Sequence, residues 1–130
     1  KRWQKKLNLP INFTPKYFPP SDVVKASCII LSIKDQNFQN TISLNLLKCV
    51  WIEEKDIGNL NTLTEVCNKM GLNINEILEC LETYENLFHS LPNKAAKCNV
   101  FGSPSYVLFD EVFWGQDRLD LLEEKIIENI

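Results

Sequence analysis

The order of apolar patterns predicts an α+β protein, mostly helical, with helices first and a strand–strand–helix unit last. Three observations carry this. Residues 21–98 repeat apolar side chains at helical spacing. After Asn99 two short runs, SYVLF and EVFWG, meet at Asp110 and read as a hairpin. From Gln116 the helical period returns, with Leu119, Leu122 and Ile126 on one face.

Residues 1–8 read as the end of a helix that stops before Pro10. LPINFTPKYFPP then packs four prolines into twelve residues, which dictates an extended connector with Phe13, Tyr17 and Phe18 packed down. SDVVKASCIILSIKD is helical, with Ser21 as its expected N-cap and Val23, Val24, Ser27, Ile30 and Leu31 on one face. A further helix places Phe38, Ile42, Leu46 and Cys49 in one stripe. Thr62 and Glu65 form a capping box, Gly71 ends that helix, and Asn73 with Glu76 repeats the device. Pro92 is expected to open a short helix that closes at Asn99.

A net charge of -3 and a pI near 5.2 argue against nucleic-acid binding, which requires a basic face. Lys1, Arg2, Lys5 and Lys6 do cluster, and read as the solvated face of one helix rather than a binding patch. No apolar run approaches the roughly 18 residues of a membrane span, and no membrane partner is expected. The five cysteines, Cys28, Cys49, Cys67, Cys80 and Cys98, are scattered, odd in number and without a C-x-x-C. That excludes a disulfide scaffold and a zinc site, makes most of them small buried hydrophobes, and points to the cytoplasm. The chain opens on Lys1, and a preceding segment is expected.

Gly102-Ser103-Pro104 precedes the first strand. A cis Ser103–Pro104 bond would turn the Ser103 N–H and C=O outward, ready to pair with an extended peptide; an ordinary trans turn is the alternative. Gln116 and Asp117 open the last helix, where unpaired amides favour an anion and Asp117 complements the dipole or caps the helix. His89, the single histidine, has no triad partner in recognisable spacing, and Glu53, Glu54 and Asp56 read as exposed carboxylates rather than a metal site. No phosphate loop is present.

VFGSPSYVLFDEVFWGQDRLDLLEE resembles the C-terminal signature of the 2-hydroxychromene-2-carboxylate isomerase family, which is similar to kappa-class glutathione transferases and to DsbA-like thioredoxin-fold proteins. FPP at 18–20, WIEEKDI at 51–57, GL at 71–72 and Ala95 follow in the family's order, so the resemblance covers nearly the whole chain. It implies a thioredoxin-like domain split by a helical insertion. Residues 1–98 would be the helical domain and 99–130 the C-terminal ββα half, with the N-terminal βαβ unit and its catalytic serine absent. No catalytic residue is therefore assigned.

The resemblance implies glutathione as cofactor, held by Ser103, Pro104, Gln116 and Asp117, with Trp114 walling the substrate pocket. Phe113 stands beside it, better suited to packing. The cis form is then expected at Ser103–Pro104. Small aromatic or enone-type compounds are the implied substrates. Ser103, Asn99 and Pro92 depart from the family's usual aliphatic residue, glycine and threonine. A truncated form is expected to be inactive alone. A non-enzymatic interaction module, whose open sheet edge pairs with a partner or a second copy as a homodimer, is the second reading. A DsbA-like thiol–disulfide oxidoreductase remnant is the third, weakened by the absent C-x-x-C.

Overall fold

The computed structural model describes residues 1–130, which divide into two compact units, Lys1–Phe88 and His89–Ile130. The division falls inside one helix. The elements are α1 (Arg2–Leu7), α2 (Val24–Ser32), α3 (Gln36–Trp51), α4 (Leu60–Lys69), α5 (Ile74–Glu79), α6 (Leu81–Lys97), β1 (Ser105–Leu108), β2 (Glu111–Trp114) and α7 (Leu119–Ile127), an α+β arrangement. A 3-10 turn, Gln116–Arg118, precedes α7.

In the first unit, α2 to α5 enclose the core. Ile29, Ile42, Leu63, Cys28 and Cys67 are fully buried, and Leu46, Cys49, Val66, Ile74 and Ile77 complete the packing. The α3 stripe lies where its spacing puts it: Ile42, Leu46 and Cys49 are buried and Phe38 packs against them. Asp35 caps α3 by accepting from the Phe38 N–H at 2.7 Å. On α2 the buried face is Ala26, Cys28 and Ile29, not the face of Val24, Ser27 and Ile30. With Val and Ile on both sides of this helix, apolar spacing alone does not choose the face; contact with α3 and α5 does.

Several helix ends differ from expectation. Val23, not Ser21, stands at the N-cap of α2, and Asp22 Oδ1 accepts from the Val24 N–H at 2.9 Å. The Ser21 N–H instead donates to Asp56 Oδ1, which also receives the Gly58 N–H. Asn59, not Thr62, caps α4, accepting from the Asn61 N–H. Asn73 does cap α5, and its side-chain amide donates to Glu76 Oε1 at 2.9 Å. Gly71 follows α4 with φ +72°. Pro92 opens no helix: it lies inside α6, which runs on from Leu81 after a break at Cys80.

The connector forms no helix or strand, as expected, but it is bent rather than extended, with a turn at Lys16–Tyr17 and a cis Phe18–Pro19 bond. It holds to α3 through the Asn12 N–H, which donates to the Trp51 carbonyl at 2.8 Å. Its aromatics are not packed down. Phe13 and Phe18 are half exposed, the bent segment running over the surface rather than into the core. Phe18 meets Trp51 at a ring separation of 4.7 Å.

The second unit carries a two-stranded antiparallel sheet with Ser105 opposite Trp114 and Leu108 opposite Glu111. The loop is Phe109–Asp110, with φ values of 49° and 62°, the geometry of a tight hairpin turn. Residue 110 is therefore the turn that the two apolar runs predict.

Burial ranks the consequences of truncation. Ile42→Ala and Leu63→Ala should each lower the unfolding free energy by about 2–5 kcal/mol, whereas Leu47→Ala, at an exposed position of the same bundle, should cost far less. Urea titration of the three variants checks this. The Ser21 side chain and then the Gly58 N–H hold the Asp56 carboxyl below its ordinary value of 3.8. A depressed folded pKa means stability present above that ordinary value and lost as pH falls through the folded one. Asp56→Asn should therefore be less stable than the parent at neutral pH, and the gap should close in acid.

Candidate functional site

The site is built by the hairpin and the turn after it. The Ser103–Pro104 peptide is cis, as the Gly-Ser-Pro turn and the resemblance predict. The Gly115 N–H donates to the Pro104 carbonyl at 2.9 Å, one step beyond the Ser105–Trp114 pair. That bond brings residues 103–104 against residues 115–118. The Ser103 N–H and C=O enter no main-chain hydrogen bond. The Ser105 hydroxyl donates to the Gly102 carbonyl at 2.6 Å and stiffens the turn from inside.

Ser103, Pro104, Trp114, Gly115, Gln116, Asp117 and Arg118 line one cleft of about 340 Å³. The structure thus gathers Ser103, Pro104, Trp114, Gln116 and Asp117, all expected from the sequence, around a single space. Phe113 is not among them. It is 5% exposed and lines a neighbouring cleft with Phe101, Leu121 and Lys125, which Trp114 and Arg118 also border. Its role is packing.

The last helix starts as a 3-10 turn, and α7 proper begins only at Leu119. Gly115 at the N-cap supplies no side-chain acceptor for the first amides of that turn. It has φ +107°, and a Cβ there would lie 2.5 Å from Asp117 Oδ1. The carboxylate therefore folds back over the glycine, at the cleft wall.

Two features escape the sequence reading. Gly102 lies against the Trp114 indole, where a Cβ would come within 2.5 Å of Nε1, so this glycine sets the tryptophan's position. Phe101 meets the same ring edge-on at 4.9 Å. Arg118 lines the cleft beside Asp117. Neither has a signal in the sequence beyond its place next to the motif: Gly102 lies outside the strand pairing, in which Ser105 faces Trp114.

Other candidates disperse. Glu53 pairs with Lys55 at 3.5 Å, Glu54 accepts from the Asn12 amide, and Asp56 receives Ser21 and Gly58, so the three carboxylates do not converge. His89 is an exposed residue of α6 and does not line the cleft. All five cysteines are free. Burial pushes the Cys28, Cys49 and Cys67 thiols up, away from the reactive thiolate.

Gly115→Ala should destabilise the chain by about 1–3 kcal/mol in urea unfolding, since an L residue is strained at this φ and meets Asp117. In a thiol-reagent assay of the native chain, Cys80 and Cys98 should react promptly, and the buried Cys28, Cys49 and Cys67 only on unfolding.

The chain matches the DSBA-like thioredoxin domain over residues 1–127. It is 26% identical over 129 residues to a 2-hydroxychromene-2-carboxylate isomerase of Sphingobium xenophagum, covering 98% of this chain and 64% of that protein. It superposes on a solved structure of a 2-hydroxychromene-2-carboxylate isomerase with a TM-score of 0.81 at 21% identity, covering 98% of this chain and 62% of the other. The chain thus spans less than two thirds of the length of either. A match across nearly every residue leads to one conclusion: the chain belongs to the DSBA-like thioredoxin domain family.

Proposed function

We propose that this chain carries the peptide-holding part of a glutathione-dependent isomerase acting on 2-hydroxychromene-2-carboxylate or a related enone-type compound. The observation that supports this reading best is the single cleft shared by Ser103, Pro104, Trp114, Gln116 and Asp117. The likeness to isomerases of that name supports it further. Ser103, Pro104, Gln116 and Asp117 would hold glutathione, which would supply the thiol nucleophile for a reversible addition that permits the bond rotation.

The chain's own residues hold and orient. The free Ser103 N–H and C=O suit the cysteinyl backbone, as an added strand would. Asp117 suits the γ-glutamyl ammonium, and Gln116 with the uncapped amides of the turn suits its carboxylate. Trp114, half exposed at the cleft, offers an apolar wall. None of these groups activates a thiol.

Each neutral hydrogen bond contributes roughly 0.5–1.5 kcal/mol net, the charged ones more. Set against the cost of immobilising a flexible tripeptide, this part alone should bind glutathione in the millimolar range. Titration of glutathione into the purified chain, followed by NMR, is expected to shift resonances of residues 103–104 and 114–118, with binding weakened by Asp117→Ala and no turnover of the chromene. Micromolar binding indifferent to Asp117, or saturable turnover, would overturn the assignment.

A second reading rests on the sheet itself. Its two strands pair only with each other, so both outer edges are open, and Tyr106, Val107 and Phe109 are exposed. Such an edge suits a partner strand or a second copy. Concentration-dependent association abolished by a proline at Val107 is the expected sign of that use.

A further inference from the structure

Charge and apolar exposure coincide at one place in the first unit. Residues 1–21 hold five of the fourteen Lys and Arg side chains and none of the seventeen Asp and Glu, +5 against −8 for the remainder. By pattern alone these cations read as a solvated helix face. The structure adds what lies beside them. The connector, held to α3 by the Asn12–Trp51 bond, forms with it an apolar groove of about 410 Å³ lined by Leu9, Ile11, Leu44, Leu47, Trp51 and Ile52, with Lys48 as the one charged residue. Leu44 and Leu47 are more than half exposed. The side chain of Gln4 on α1 donates to the Ile11 carbonyl, which ties the cationic helix to the groove wall.

Three exposed aromatics of residues 1–21 each have a lysine beside them. Lys6 Nζ lies 4.7 Å from the Trp3 ring, Lys16 Nζ 5.0 Å from Tyr17 and Lys1 Nζ 5.8 Å from Phe13. Two carboxylates also meet the connector, Glu54 at Asn12 and Asp56 at Ser21.

We propose that this face docks on the surface of an anionic phospholipid bilayer. Leu44, Leu47 and Leu9 enter the acyl boundary, Trp3 and Tyr17 lie at the headgroup level, and Lys1, Arg2, Lys5, Lys6 and Lys48 meet the headgroup charge. The attachment is peripheral, since no helix of the chain is long and apolar enough to cross a membrane. A second copy is a poorer occupant: two-fold pairing would bring the same lysines face to face. An acidic helix laid in the groove would leave Trp3, Phe13 and Tyr17 uncovered, because none of the three lines it.

The test is flotation of the whole chain with phosphatidylcholine vesicles, with and without phosphatidylserine. Binding is expected only with phosphatidylserine and should fall as salt rises. Each removed cation should weaken it about fivefold, so Lys5→Gln with Lys6→Gln should weaken it more than tenfold. Leu44→Asn with Leu47→Asn should also weaken it while leaving the thermal midpoint nearly unchanged, both side chains being exposed. Equal binding to neutral vesicles, no binding, or binding untouched by either pair of changes would overturn the proposal. So would a stable dimer in sedimentation that the leucine changes dissociate, which would assign the groove to a second copy.

Discussion

The hydrogen bond from the Gly115 N–H to the Pro104 carbonyl is the contact on which the site depends. It extends the hairpin ladder past its last strand pair and closes residues 103–104 onto the turn that opens the last helix. Without it, the free backbone of Ser103 and the carboxylate of Asp117 would have no reason to share a cleft. The bond needs a residue at 115 that turns the chain with φ +107°, and glycine meets that need without strain.

Two close approaches reinforce the tie. Gly102 lets the Trp114 indole lie against the chain just before the proline, and Phe101 holds the ring from the side. Asp117 folds back over Gly115. Tryptophan, proline and aspartate are thus positioned by glycines and backbone, and by little buried surface, because Phe113 is the one buried apolar side chain of this unit. The first unit is organised differently: its helices are held by a contiguous apolar core, and Leu44 and Leu47 of α3 stand exposed outside it.

The helical unit was legible where one physical signal dominated. The Phe38–Cys49 stripe, the α1 stop before Pro10 and the left-handed Gly71 all follow from local sequence. The misreadings share a cause. Ser21, Thr62 and Pro92 are residues that favour helix starts, but neighbouring acceptors at Asp22 and Asn59 took the first amides, and Pro92 was absorbed inside α6. The Phe109–Asp110 loop was legible as a turn from the two apolar runs alone, without the glycine or asparagine that usually marks one.

The sequence by itself determined the order of elements, the hairpin, the proline turn and the short roster of cleft residues, because each rests on spacing or on one residue's backbone preference. Tertiary structure decided which face of α2 is buried and that Arg118 joins the cleft. It also decided that a proline-rich connector and α3 together make an apolar groove beside the cationic helix. These are relations between segments distant in sequence. Hydrophobicity assigns a residue to an interior, but only contact with a particular neighbour decides which one.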